Sequence, residues 1–219
     1  MTNLLAILDA LNRVSEMAFV VGGLPRDYIF HLKSQNKRPQ QISHSIFQID
    51  FANFIEFICQ QTSCDIDIAI TSTPKNVGKF LDETFKNHKR ARNFATNSID
   101  FTNGKLDITS TRIDVDCDGK NAKMKLGASI LRDSHRRDFT FNAIYINQSG
   151  LIFDFHNGID AIFSHKIEFI GNAHTRICED FSRITRYEKF CTRFAMKNYE
   201  IDEVISQIKK NSTHPSIIR

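Results

Sequence analysis

The segment Cys64-Asp65-Ile66-Asp67-Ile68-Ala69-Ile70 constrains this chain more than any other stretch. Polar and apolar residues alternate with period two, the mark of a strand buried on one face. Ile66, Ile68 and Ile70 then point to a core, and Asp65 and Asp67 project together from the other face. Two adjacent carboxylates repel unless water or a cation separates them. Magnesium suits such a pair, because it takes hard oxygen ligands, keeps several waters and lets substrate phosphates complete its shell. A lone pair of acids is more commonly an ordinary solvated strand face.

Asp107 adds weight to the chemical alternative. Residues 105–112 alternate in the same way, with Asp107 opposite Leu106 and Ile108. If this strand neighbours 65–70, a third carboxylate joins the pair. Two ions held about 3.5–4 Å apart could then activate a hydroxyl and stabilise a leaving pyrophosphate.

Other elements follow from spacing. Leu4, Leu5, Ile7, Leu8, Leu11 and Val14 predict a helix over 3–16. The apolar run 18–21 reads as a buried strand stopped by Gly22-Gly23, with a helix starting at Arg26. Residues 31–41 are polar and basic and read as a surface loop, whereas 42–59 are rich in Ile and Phe, with a helix at Phe51–Cys59 and possible strand upstream. Thr73-Pro74 caps a helix over 75–85. Asn103-Gly104 joins strands 98–101 and 105–112 as a hairpin. Residues 116–121 read as an exposed loop, 139–147 as either helix or strand, 151–155 as a strand and Asn157-Gly158 as a turn. A long helix is expected over 179–197 and a shorter polar one over 202–209.

Composition narrows the class. The chain has 219 residues, 41% hydrophobic and 25% charged, which excludes disordered, collagen-like and coiled-coil proteins. The net charge of +4 is compatible with a polyanionic partner without demonstrating one. The 19 phenylalanines, with no tryptophan, read as core composition. Five cysteines without a C-x-x-C pair read as free thiols rather than a disulfide framework or a Cys-rich zinc site. No apolar run reaches the roughly 18 residues of a membrane span. The N-terminus lacks a signal-peptide pattern, which favours an intracellular protein.

Three further clusters carry chemistry. Val21-Gly22-Gly23 ends a strand before a helix, so backbone N–H groups could approach a phosphate with Arg26 beside them. Arg136-Arg137-Asp138 adjoins an apolar segment. Asp180 and Arg183 stand three residues apart, neighbours on one helix face. Each alone is most simply a turn, a charged helix start or a surface ion pair.

Their order is specific. Val20-Val21-Gly22-Gly23-x-x-Arg26-Asp27, Asp65-Ile66-Asp67-Ile68-Ala69, Leu106-Asp107-Ile108-Thr109-Ser110-Thr111-Arg112, Arg136-Arg137-Asp138-Phe139-Thr140-Phe141-Asn142-Ala143 and Glu179-Asp180-Phe181-Ser182-Arg183-Ile184-x-Arg186 follow one another. This series resembles the class II CCA-adding enzymes, tRNA nucleotidyltransferases that share a head domain with bacterial poly(A) polymerases. Asp118-Gly119-Lys120-Asn121-Ala122 resembles the family's flexible loop.

The resemblance implies an α+β fold, a nucleotidyltransferase-type mixed sheet flanked by helices and followed by a short helical neck. The head would span 1–170 and the neck and tail 171–219. It implies that Asp65 and Asp67 hold catalytic magnesium ions, with Asp107 as third carboxylate. Gly22, Gly23 and Arg26 would handle the triphosphate alongside Asp27. Arg136, Arg137, Asp138 and Asn142 would face the ribose. Asp180 and Arg183, with Arg186 in the same motif, would read the base of CTP or ATP, since an acid and a guanidinium offer complementary acceptors and donors. The implied reaction adds CMP and AMP to the 3′ end of tRNA in the cytoplasm or an organellar matrix, away from any membrane. A poly(A) polymerase of the same family and an inactive remnant are the alternatives.

Two departures stand out. Residues 31–63 intervene between the Gly-Gly and D-x-D motifs as an insertion, whose apolar half is expected to pack on the head or on a partner, with RNA contact by Lys33, Lys37 and Arg38 as the alternative. The family's tRNA-gripping helices have no counterpart after 186, so a second chain supplying them is a further expectation.

Overall fold

The computed structural model describes residues 4–14, 17–63, 65–71, 79, 88–91, 96–101, 104–117 and 122–211. Among the described residues, nine strands form one sheet in the order β2-β3-β11-β10-β1-β4-β7-β6-β5, where β5 is His88–Ala91 and β6 is Thr96–Phe101. Its centre is β1 (Ala18–Val21), flanked by β4 (Ile66–Ile70) and β10 (Ile144–Ile146), with β7 (Gly104–Ser110) beyond β4. β4 and β7 run parallel, and every other pairing is antiparallel. The fold is therefore α+β with a mixed sheet, as expected from the motifs.

The period-two pattern sorts the residues onto two faces. Val20, Ile68, Ile70, Leu106, Ile108, Ile144 and Ile146 enter the main core. There they meet α1 (Leu4–Val14) through Leu8 and Leu11, and α2 (Gly23–Ser34) through Tyr28 and Ile29. Phe19, Val21, Ala69 and Tyr145 form a smaller cluster on the opposite face. Register carries that second face across the sheet as a single row: Ile46, Phe153, Tyr145, Val21, Asp67, Asp107, Ser98. Paired residues share a face. The row is apolar at one end and turns acidic at its centre.

Residues 31–63 depart from a loop. α2 continues to Ser34, and β2 (Gln40–Ser43) and β3 (Ile46–Gln48) form a hairpin that extends the sheet through β11 (Leu151–Asp154). β2 is exposed along its length, which is why its polar sequence resembled a loop. α3 (Phe51–Cys59) starts at Asp50, whose carboxylate accepts the Ala52 N–H at 2.9 Å. Its Phe54 and Phe57 pack on Tyr28 at ring distances of 5.0 and 5.3 Å. The segment is thus part of the core, as its apolar half suggested.

Further differences concern boundaries. The strand expected over 105–112 ends at Ser110, and β8 (Arg112–Cys117) pairs with β9 (Ala122–Leu126) as a separate ribbon. The 75–85 helix, apart from Lys79, and the family-like loop at 118–121 lie outside the described residues. Residues 139–147 combine a 3-10 turn (Thr140–Ala143) with β10. α4 is Ile130–Ser134 and α5 is Gly158–Phe163, the latter capped by Asp154, which accepts the Gly158 and Ile159 N–H groups at 2.8 Å.

The helix expected over 179–197 starts later, as α7 (Ser182–Phe194); a separate α6 (Ala173–Glu179) precedes it, and Asp180 between them is extended (φ −154°, ψ 101°). α8 (Tyr199–Asn211) follows and docks on α7 through the Tyr187 hydroxyl, which donates to Asp202 at 2.8 Å. Cys59, Cys178 and Cys191 are free thiols, and among the described residues no helix is long and apolar enough to cross a membrane.

Phe54 is fully buried. Phe54→Ala is expected to cost about 3–5 kcal/mol in urea unfolding, the range for a truncated core aromatic. A loss below about 1 kcal/mol, typical of a surface site, would contradict the placement of 31–63 in the core.

Candidate active site

A pocket of about 320 Å³ opens where β1 gives way to α2. Its wall consists of Gly22, Gly23, Arg26, Asp67, Arg136, Arg137, Asp138, Asn142, Arg183 and Arg186. All belong to the motifs singled out above, although they lie up to 164 positions apart (Gly22 to Arg186). Gly22 must be glycine: its φ is +81°, and a Cβ would stand 3.1 Å from Asp67 Oδ2. The turn it makes sets the N-terminus of the 12-residue α2 in the pocket wall, an arrangement that attracts anions.

The acids sit along one rim. β4 and β7 pair Asp67 with Asp107, and Asp65 lies exposed immediately before β4. Asp107 accepts from Ser98 Oγ at 2.6 Å and from Lys105 Nζ at 2.8 Å. Solvent reaches Asp67, yet the concave wall raises its carboxyl pKa by desolvation. Arg137 opposes that rise, and Asp107 and Asp65 add to it. Asp67 therefore feels both neighbouring carboxylates, as expected if the two strands are neighbours. Among the described residues, no three His, Cys, Asp or Glu side chains converge closely enough to hold a metal ion unaided.

The arginines are held from several sides. Arg26 is buried, donates to Asn142 Oδ1 at 2.9 Å and to Asp27 at 2.8 Å, and lies 4.9 Å over the Phe190 ring. Asp27 also accepts from Arg193 at 2.9 Å and does not line the pocket. It anchors Arg26 rather than facing a ligand. Asn142 Nδ2 donates to Asp138 at 3.0 Å, and Arg186 Nε donates to the same carboxylate at 2.8 Å.

Asp180 and Arg183 do not pair on one helix face. Asp180 occupies the break between α6 and α7, where it accepts the Ser182 N–H at 2.9 Å and Arg186 NH2 at 3.0 Å. Desolvation raises its pKa, but these contacts outweigh it and hold the carboxyl below the usual range. Arg183, on α7, donates to Glu179 at 2.9 Å and to the Arg176 carbonyl. The spacing suggested one continuous helix, and the break instead spreads the two groups over different partners.

Three further residues complete the frame. Asp133 on α4 is fully buried and accepts from the Arg112 N–H at 3.0 Å, Arg136 Nε at 2.8 Å and the Tyr145 hydroxyl at 2.8 Å. Arg176 donates to the carbonyls of Arg136 and Arg137 at 2.7 and 2.8 Å, tying that loop to α6. The spacing of Asp133 to Arg136 and Arg137, three and four residues, was a visible signal of the first. Arg176 and Tyr145 had none.

Desolvation raises the Asp133 pKa, but Arg136, Arg137 and the hydrogen bonds prevail and hold it low. Its folded pKa thus lies below its unfolded one. The stabilisation is complete above the ordinary aspartate range and is lost as pH falls through the folded value. Unfolding free energy should decline on acidification below about pH 4. Asp133→Asn should show a smaller decline in denaturant titrations across that range, and an equal decline would contradict the assignment.

Comparison with known proteins places this geometry. The Poly A polymerase head domain model matches residues 18–168. The CCA tRNA nucleotidyltransferase 1, mitochondrial, of Homo sapiens is 28% identical over 210 residues, covering 86% of this chain and 48% of that protein. The Poly(A) polymerase I of Haemophilus influenzae is 28% identical over 202 residues, covering 89% of this chain and 39% of its own. Among solved structures, the Bacillus stearothermophilus CCA-adding enzyme in complex with CTP superposes with a TM-score of 0.67 at 22% identity, over 95% of this chain and 44% of that one. The chain spans less than half the length of each of these relatives. With the head-domain match covering most of the chain, it belongs to the Poly A polymerase head domain family, which includes the class II CCA-adding enzymes.

Proposed function

We propose that this chain carries the catalytic head of a magnesium-dependent nucleotidyltransferase that adds CMP and AMP from CTP and ATP to the 3′ end of tRNA. The observation that carries this is the meeting of the Asp67–Asp107 pair with an arginine-lined pocket over a helix N-terminus. A triphosphate fits that charge, and a nearby acidic rim suits the metal that accompanies it. The names of the human relative and of the CTP-bound structural neighbour point the same way. The human relative's mitochondrial designation is compatible with an organellar matrix, and the cytoplasm is the other candidate.

The donor set fits magnesium. Asp67 and Asp107 are register neighbours, Asp65 adjoins them, and all three supply hard oxygen. They would supply part of a shell, since magnesium is commonly bound through one or two carboxylates with waters and phosphates. When bound, the ion supplies charge stabilisation at the reacting phosphate. Arg26 would grip the triphosphate, and Arg136 and Arg137, expected at the ribose, would join it because they line the same pocket wall, leaving Asp138 and Asn142 at the ribose. Asp180 and Arg183 would exchange their present partners for the base edge. The RNA 3′-hydroxyl attacks the α-phosphate, and pyrophosphate leaves. Positioning and electrostatics supply most of the acceleration in such transfers.

The Haemophilus relative supports a second reading, poly(A) addition by the same centre. Labelled CTP and ATP offered with tRNA lacking its 3′ end separate the two. CCA addition predicts use of both nucleotides, and poly(A) addition predicts ATP alone. Asp67→Ala is expected to reduce incorporation by at least about 10³-fold, as for other groups acting on the reacting atoms. Arg183→Ala should blur the choice between CTP and ATP. Undiminished incorporation by Asp67→Ala would overturn the assignment, and recovery only on adding a second chain would show that this head needs a partner.

A further inference from the structure

Behind the pocket arginines lies a buried pair that no step above uses. The Tyr145 hydroxyl donates to Asp133 Oδ2 at 2.8 Å and accepts from Arg137 Nε at 2.9 Å. Both its donor and acceptor roles are thereby filled. Tyr145 is fully buried, and its ring packs edge-on against Phe19 with centroids 6.2 Å apart. The Arg137 guanidinium lies 5.1 Å over the same ring and also contacts Asp133 Oδ2 and the Asn142 carbonyl, each at 3.4 Å.

Register gives this contact its meaning. Val21 pairs with Tyr145 on one side and with Asp67 on the other. Tyr145 and Asp67 are therefore two strands apart on one face, about 10 Å at ordinary strand spacing. Arg137 bridges that interval: it is anchored at the tyrosine, lines the pocket and acts electrostatically on Asp67. A guanidinium has five N–H groups, and the three contacts above leave others free for a ligand. An arginine on a flexible stem loses rotamer freedom when it grips a phosphate, and a prior anchor lowers that cost.

We propose that Tyr145 is a positioning residue of the nucleotide pocket, whose hydroxyl, held by Asp133, fixes the Arg137 guanidinium for the triphosphate. This rests on the reading of the pocket as a nucleotide site. Tyr145→Phe removes one oxygen and keeps the packed ring. It leaves Arg137 Nε without its acceptor and Asp133 without one donor.

Equilibrium titration of the full chain with CTP, ATP and inorganic tripolyphosphate tests the pairing, with Arg137→Met as the second arm of a double-mutant cycle. Tyr145→Phe should weaken binding about 5- to 20-fold, the scale of a hydrogen bond to a charged group felt at one remove. In the Arg137→Met background it should change binding less than about twofold, because the group it acts through is gone. A purely packing role would weaken both backgrounds alike, and that result, or Tyr145→Phe binding like the parent, would overturn the proposal. Asp133→Asn offers a second variant if Tyr145→Phe does not fold. It should weaken binding at least as much, since it frees Arg136 too, and binding like the parent would again overturn the proposal. A parent that binds tripolyphosphate but neither nucleotide would sink the nucleotide reading and leave the Tyr145 test readable on tripolyphosphate. A parent that binds none of the three would overturn both.

Discussion

The in-register parallel pairing of β4 with β7 is the constraint on which the site depends. It sets Asp67 beside Asp107, and the pairing of Asp67 with Val21 on β1 puts both on the row that also carries Tyr145. A one-residue slip would send every side chain of β4 to the other face, burying Asp67 beside Leu106 and Ile108 and expelling Ile68 from the core. The main core therefore enforces the chemistry: Ile66, Ile68 and Ile70 are buried, so Asp67 has no other face to occupy. The acidic row and apolar burial are two consequences of one alternating pattern.

Charge is arranged with similar economy. Five arginines line a pocket of about 320 Å³, which would repel one another without nearby acids. Asp133 serves Arg136 and Arg137 from behind, Asp138 takes Arg186, Glu179 takes Arg176 and Arg183, and Asp27 takes Arg26 and Arg193. A buried carboxylate is costly alone and stabilising when every lone pair has a donor. The result is a cationic pocket on a chain whose net charge is only +4. The attraction for a polyanion is local, which global composition could not show.

Much of this was legible beforehand, for physical reasons. Period-two alternation exposes the two faces of β4 and β7 directly, and the Gly22-Gly23 turn marks the strand end. Pairing partners are long-range, so whether Asp107 stood beside Asp67 was an open condition until the register was seen. The break at Asp180 left no mark in the apolar spacing, because Phe181, Ile184 and Phe190 all follow it. Asp133 sits in a short polar helix that resembles a surface element, yet it is buried under both arginines it serves. Tyr145 lay in a stretch whose period fitted both helix and strand, because a 3-10 turn and a short strand share it. The exposed hairpin strand Gln40–Ser43 has too little apolar content to betray a strand.

The most direct test is a crystal structure of the full chain with magnesium and a non-reactive CTP analogue. The account predicts phosphates among Arg26, Arg136 and Arg137, the α-phosphate beside Asp67 and Asp107, and the base at the Asp180–Arg183 break. A nucleotide bound elsewhere, or with its α-phosphate away from the Asp67–Asp107 row, would contradict it.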